Sequence, residues 1–209
     1  MKFETYPDRD ALMMGVADRV ASDLENALLH SDAVSLAVPG GTTPGPVFDI
    51  MSAVHLDWGR IHVMLTDERW VPEDHERSNA GLVKQRLLKG PAAAAQFVPF
   101  YTSGDPDQQV AARASDIAAH LPLSVVVLGM GADMHTASLF PGAPGLTQAL
   151  ASDAPALTIM RPENQPDMRV TLAAHALAGG LAKHLLITGA EKRAALERAQ
   201  SLPVEQAPV

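Results

Sequence analysis

Short apolar segments that end in glycine turns are the feature of this sequence that most limits its fold. Residues 34–38 lead into the Pro-Gly-Gly turn at 39–41, and residues 123–128 lead into the Gly-Met-Gly turn at 129–131. Apolar runs of this length, bounded by glycine, are typical of buried strands. Because helix-like patterns separate these strands, the sequence predicts one α/β domain with a mostly parallel sheet.

The remaining segments continue this alternation. Apolar residues three or four positions apart predict a helix over 8–29, whereas residues 66–79 are predicted to form a long polar loop. Further helices are predicted to begin at Thr42-Thr43-Pro44, with Thr as N-cap, and at Ser78 or Asn79, and to cover 110–120, 173–181 and 190–199. Further strands are predicted at 61–65, 155–160, 168–172 and 185–188. Since neither a repeat nor a composition break divides the chain, residues 1–209 are interpreted as a single domain.

Composition limits the compartment and the partners. The 209 residues include no cysteine, which excludes disulfides and thiolate metal sites and favours a reducing compartment, the cytoplasm. No run approaches the roughly 18 apolar residues of a membrane span. The net charge of −8 argues against nucleic acid and acidic membranes as partners. An anionic small molecule would therefore need positive charge gathered locally at its site.

The first glycine turn is a candidate anion site. Gly40 and Gly41 let backbone amides approach a ligand, Thr42 offers a hydroxyl, and the helix start that follows contributes its positive dipole end. Such turns stand at the carboxyl ends of strands, where open α/β sheets bind their ligands. A plain joint between strand and helix stays open as the alternative for this motif alone.

His135 is the candidate general base. It follows the second glycine turn, within the stretch 129–142, and Asp133 stands two residues before it. A neutral imidazole accepts a proton near pH 7, and a carboxylate can hold its tautomer and stabilise the imidazolium. In the alternative interpretation both side chains only satisfy backbone groups of their own loop. The position of His135 after the strongest predicted strand favours catalysis.

Four charged residues at other strand ends are candidates for substrate binding. Asp67 and Arg69 can bind hydroxyls and an anion together. Arg169 lies in a predicted strand, and Lys192 stands in the first turn of a helix after Gly189, from where an ammonium can reach a phosphate. Each of the four, taken alone, is also compatible with a solvated surface charge. The histidine spacing predicts no metal site.

Taken together, four stretches resemble the 6-phosphogluconolactonase family. They are Pro-Gly-Gly-Thr-Thr-Pro (39–44), Thr-Asp-Glu-Arg-Trp-Val-Pro (66–72) with His75, Ser78 and Asn79, Gly-Met-Gly-Ala-Asp-Met-His-Thr-Ala-Ser-Leu-Phe-Pro-Gly (129–142) and Gly-Ala-Glu-Lys (189–192). The resemblance implies a three-layer α/β fold of the sugar-phosphate isomerase and deaminase superfamily. It also implies hydrolysis of a sugar-phosphate lactone, with His135 as the base and without a metal or an organic cofactor.

The chain departs from the family pattern at two places. Met134 stands where the family usually has glycine before the catalytic histidine, and it would strain the backbone if φ is positive there. The chain also ends at Val209, before the final segment expected of the family. A terminal strand is therefore expected to be absent, to be supplied differently, or to lie outside this sequence.

Two other functions stay open. Glucosamine-6-phosphate deaminases share the implied fold, but they usually carry Asp-Glu-Tyr where this chain has Asp-Glu-Arg (67–69), and Asn-Glu-Pro-Gly where it has Leu-Phe-Pro-Gly (139–142). A non-catalytic sugar-phosphate sensor would use the same anion site, although it would not need His135 as a base. The sequence leaves the oligomeric state open.

Overall fold

Helices and strands alternate along residues 1–163 and 165–209, which the computed structural model describes. The first half contains α1 (Arg9–Leu28), β1 (Val34–Val38), α2 (Gly45–Met51), β2 (Ile61–Leu65), β3 (Asp67–Arg69), α3 (Asn79–Arg86) and β4 (Gln96–Val98). The second half contains α4 (Pro106–Ala118), β5 (Val125–Gly129), α5 (Leu146–Leu150), β6 (Leu157–Met160), β7 (Arg169–Leu172), α6 (Ala174–Ala178), β8 (Ala182–Leu186) and α7 (Ala190–Ala199). Two short 3₁₀ helices cover Trp58–Arg60 and Gly90–Ala94.

The central sheet has five parallel strands in the order β4-β2-β1-β5-β8. All five residues of β1 are buried, and so are four of the five in β2. Continuous burial along a strand means that other elements cover both faces of the sheet, as helical crossovers do in parallel sheets. The predicted α/β fold with a mostly parallel sheet is therefore confirmed.

The order of the strands reverses at β1. From β1 the chain builds outward on one side through β2 and β4, and then returns to place β5 and β8 on the other side. In open α/β sheets this reversal leaves a crevice beyond the carboxyl ends of the two strands at the switch point. Here these ends carry the two glycine turns, at 39–41 and 129–131.

A second, antiparallel sheet with the order β3-β7-β6 lies beside this crevice. The strands predicted at 155–160 and 168–172 are present as β6 and β7, but they belong to this second sheet and not to the parallel one. The prediction of a loop over 66–79 needs correction, because β3 forms within that segment and pairs with β7. Three charged residues in a row give no strand signal, since their burial depends on partners supplied by the tertiary structure.

Two predicted helix starts hold where a side-chain cap defines them, whereas α4, which Asp105 caps, begins at Pro106 and not at the predicted residue 110. Asp8 caps α1 by accepting from the N–H of Ala11 at 2.8 Å, and Ser78 caps α3 by accepting from the N–H of Gly81 at 3.1 Å. The start of α2 differs from the prediction, because its N-cap is Pro44 and not a threonine. The preceding threonines lie in the bend that leads from the first glycine turn into α2.

One large apolar core links the central sheet to α1 and to the second sheet. A smaller cluster of Met130, Ala195 and Leu196 packs below the second glycine turn. In the described part of the chain no helix is both long and apolar enough to cross a membrane.

Candidate active site

A cleft of about 350 Å³ lies at the carboxyl ends of β1 and β5. It is lined by both glycine turns, by the second sheet and by the start of α7. Its polar and charged lining residues are Thr43, Asp67, Arg69, Asn79, His135, Gln165, Arg169 and Lys192. Segments far apart in the sequence thus meet in one cleft. Seven predicted site residues line it: Gly40, Gly41, Asp67, Arg69, His135, Arg169 and Lys192.

His135 forms a close pair with Asp133. The distance from His135 Nδ1 to Asp133 Oδ1 is 2.5 Å, and the backbone N–H of His135 donates to the same oxygen at 3.4 Å. Asp133 is exposed and lies behind the imidazole, outside the cleft lining. An ionised carboxylate only accepts hydrogen bonds, so Nδ1 carries the hydrogen and Nε2 of the neutral ring is left as the acceptor.

The loop around His135 holds the imidazole in place. The N–H of Gly131 donates to the carbonyl of His135 at 2.9 Å, and the N–H of Met134 donates to the carbonyl of Gly131 at 3.1 Å. A Cβ atom at Gly131 would collide with both His135 Nδ1 and Asp133 Oδ1, so a side chain at this position would displace the pair. The imidazole also packs on Phe140, with ring centroids 4.5 Å apart.

Met134 has the positive φ that would strain a residue other than glycine. Its φ is 67°, in the left-handed region, where a residue other than glycine costs about 1 kcal/mol or more. Its side chain packs against the small cluster that contains Met130 and Leu196. This apolar contact, which glycine cannot make, offsets the strain.

We expect Met134→Gly to be more stable than Met134→Ala by about 1 kcal/mol. Both variants lose the same packing against the small cluster, but only glycine adopts a positive φ without strain. Denaturant unfolding of the parent and both variants measures the difference. Equal stability of the two variants would show that the backbone at this position is not left-handed in solution.

Asp67 connects the second sheet to the histidine loop. Ser138 Oγ, which is fully buried, donates to Asp67 Oδ2 at 2.5 Å. The Asn79 amide donates to the carbonyl oxygen of Asp67 at 2.9 Å, and the same amide lies against Gly40. These contacts connect three lining segments of the cleft.

Glu68, the middle residue of the Asp-Glu-Arg motif, binds backbone N–H groups of its own protein. Its side chain is 1% exposed and accepts from the N–H groups of Arg69 at 2.7 Å, Asn79 at 2.8 Å and Ala80 at 2.7 Å, and from Ser78 Oγ at 3.2 Å. Burial raises the pKa of Glu68, and the three N–H donors act in the opposite direction. Glu68 therefore caps α3 and fixes β3 against it.

Three cations converge on the cleft. Arg69 and Arg169 are directly opposite each other in the β3–β7 ladder, and Lys192 lies in the first turn of α7. Among the described residues, the Nε atoms of both arginines are buried and have no hydrogen-bond partner. Burial, and next the positive charge of Arg69, lowers the pKa of Arg169, which is 7% exposed. Like charges opposed in this way repel each other, so the arrangement favours a bound anion.

The residues that line the cleft differ in part from the predicted site residues. Among the described residues that line the cleft, the threonine is Thr43 and not Thr42, which is exposed. Gln165 was missed, although it accepts from Arg169 Nη2 at 3.0 Å. Asn79 was predicted as a possible helix cap and as part of the motif that begins at residue 66, but not as a substrate-binding residue, although it lines the cleft. Within 1–163 and 165–209, no group of three or more His, Asp or Glu side chains could hold a metal ion.

The parallel sheet, its switch-point cleft and the small antiparallel sheet define an α/β enzyme of the sugar-phosphate isomerase and deaminase fold. Residues 7–209 match the family described as glucosamine-6-phosphate isomerases/6-phosphogluconolactonase. The chain therefore belongs to this family, and the resemblance inferred from the motifs is confirmed.

Curated relatives and solved structures agree with this assignment. The chain is 44% identical to a 6-phosphogluconolactonase of Mesorhizobium japonicum, over 94% of this chain and 84% of the relative. It is 41% identical to a 6-phosphogluconolactonase of Pseudomonas aeruginosa, over 92% of this chain and 82% of the relative. A crystal structure of a 6-phosphogluconolactonase from Shewanella baltica is similar with a TM-score of 0.94 at 32% identity, over 99% and 89% of the two chains.

Proposed function

We propose that this protein hydrolyses 6-phospho-D-glucono-1,5-lactone to 6-phospho-D-gluconate, the second step of the oxidative pentose phosphate pathway. The observation that carries the proposal is the His135–Asp133 pair, with 2.5 Å between Nδ1 and Oδ1, whose imidazole lines a cleft that three cations also line. The names of the relatives support the same substrate.

In the proposed mechanism His135 is the general base. Its Nε2 takes a proton from a water molecule, which attacks the carbonyl carbon of the lactone. Asp133 keeps the hydrogen on Nδ1 and stabilises the imidazolium that forms. The bond from the carbonyl carbon to the ring oxygen then breaks, and the imidazolium returns a proton to that oxygen. A positioned base contributes about 10²–10⁴-fold, which suits the hydrolysis of an already labile ester.

The phosphate is proposed to bind where the positive charge converges. Arg169 and Lys192 offer charged donors, and the turn at Gly40 and Gly41 offers backbone amides. The first turn of α7 adds the positive end of a helix dipole beside Lys192. In this arrangement Asp67 and Arg69 bind the sugar hydroxyls or the lactone end. Alternatively, Arg69 joins Arg169 and Lys192 in binding the phosphate.

We expect the purified protein to hydrolyse the lactone faster than the spontaneous reaction and to release no ammonia from glucosamine 6-phosphate. The Asp-Glu-Arg and Leu-Phe-Pro-Gly stretches are the reason, because the deaminase pattern differs at both. The measurement compares acid release from the lactone, corrected for a blank, with ammonia release from the amino sugar. Ammonia release at a comparable turnover would assign the deaminase reaction, and binding of 6-phosphogluconate without turnover of either substrate would assign a sensor.

A further inference from the structure

An ion pair outside the cleft joins two segments that flank it. Arg77 Nε donates to Asp167 Oδ2 at 2.7 Å, and Arg77 Nη2 donates to Asp167 Oδ1 at 3.0 Å. Arg77 lies just before α3, and Asp167 lies just before β7. Both carboxylate oxygens are thus occupied by one guanidinium in the parallel, two-bond geometry that arginine prefers.

Asp167 is also an electrostatic neighbour of the cleft. It stands two residues before Arg169. Burial and the charge of Arg69 lower the pKa of Arg169, and the negative charges of Asp67 and Asp167 offset part of this lowering. The hydrogen bonds from Arg77 are the main reason that the pKa of Asp167 is lowered, and the charge of Arg169 contributes in the same direction. Without Arg77, Asp167 would therefore be an unpaired negative charge two residues from Arg169, where the substrate phosphate is proposed to bind.

We propose that Arg77 is a positioning residue for the lactonase reaction, because it holds Asp167 by both oxygens and so leaves Arg169 free to bind the substrate phosphate. This inference rests on the proposed function, in which Arg169 contacts the phosphate. In this proposal, an Asp167 carboxylate that has lost the Arg77 side chain pairs instead with Arg169, two residues further along the chain. Substrate then has to displace this internal carboxylate.

The two side chains of the pair differ in exposure: the Arg77 side chain is 43% exposed, and that of Asp167 is 10% exposed. Solvent screens the exposed guanidinium, so the attraction within the pair is modest, whereas the largely buried Asp167 carboxylate needs another partner when Arg77 is removed. The main chain of this segment has its own contact, since Arg69 Nη1 donates to the carbonyl oxygen of Arg77 at 2.5 Å. Replacing the Arg77 side chain leaves this carbonyl in place, so the variant tests the guanidinium and not the loop.

The experiment compares Arg77→Ala, Asp167→Asn and the double variant in the full-length protein. We expect Arg77→Ala to raise KM for the lactone and Kd for 6-phosphogluconate by about fivefold, the size of one partly exposed charge pair. Turnover should stay within about twofold, because His135 is untouched. Asp167→Asn should bind at least as tightly as the parent, and the double variant should return to within about twofold of the parent, because the competing charge is gone.

A structural salt bridge predicts a different pattern. In that case Asp167→Asn is as harmful as Arg77→Ala, and the double variant shows no rescue, which would overturn the inference. Arg169→Ala separates this failure from a failure of the proposed function. If Arg169→Ala leaves the affinity for 6-phosphogluconate unchanged, the phosphate site itself is wrong. If Arg169→Ala weakens binding and the double variant is not rescued, only the role of Arg77 is wrong.

Discussion

Replacing His135 by Asn should lower turnover by about 100-fold or more, while the affinity for 6-phosphogluconate and the melting temperature change little. Asn has a similar size and keeps hydrogen-bonding capacity, but it cannot accept a proton near neutral pH. The imidazole pairs with an exposed carboxylate, so its loss leaves no buried ionised group without a partner. Turnover, product binding and thermal unfolding are measured on the same variant.

The chain offers a matched control for this experiment. His184 forms a second histidine–aspartate pair, with 2.7 Å between His184 Nε2 and Asp23 Oδ2, and its side chain is 22% exposed against 28% for His135. This pair joins β8 to α1, away from the lining of the cleft. His184→Asn should therefore keep parental turnover. A folded His135→Asn protein with near-parental turnover would show that His135 is not the base. If activity falls only in proportion to a loss of stability, His135 has a structural role.

The predictions from sequence succeed where a local pattern determines the structure. The ranges of β1 at 34–38 and α7 at 190–199 agree with the structure residue for residue. An unbroken apolar run identifies a buried strand, and a glycine before a helical pattern identifies the start of a helix. Because the carboxyl ends of parallel strands share one edge, strand positions alone also bring the two glycine turns together.

Features that depend on distant partners could not be predicted. The charged strand β3 becomes a strand only because the start of α3 supplies donors to the Glu68 carboxylate and β7 supplies its ladder. The Arg77–Asp167 pair joins residues 90 positions apart, and no local pattern marks either of them. Which threonine lines the cleft depends on how the bend before α2 is oriented, and both threonines give the same sequence signal.

Arg169→Ala and Lys192→Ala should each weaken the binding of 6-phosphogluconate by about tenfold or more. A hydrogen bond to a charged group is worth about 1.5–3 kcal/mol, and every 1.4 kcal/mol corresponds to about a factor of ten in Kd. The two effects need not add, because both cations would contact one phosphate. Isothermal titration with 6-phosphogluconate measures the affinities. Arg161→Ala is the control, since Arg161 is exposed, pairs with Asp107 and lies outside the cleft lining.

Stability distinguishes a binding role of Arg169 from a structural one. Arg169 is a buried cation opposite Arg69, and burial already disfavours its charge. Removing one of two opposed like charges relieves repulsion and desolvation, so the free energy of unfolding of Arg169→Ala should stay within about 1 kcal/mol of the parent or rise. A residue that mainly stabilised the β3–β7 ladder would show the reverse, with a clear loss of stability and parental affinity. Loss of affinity in a variant at least as stable as the parent is thus the result that identifies Arg169 as a ligand of the phosphate.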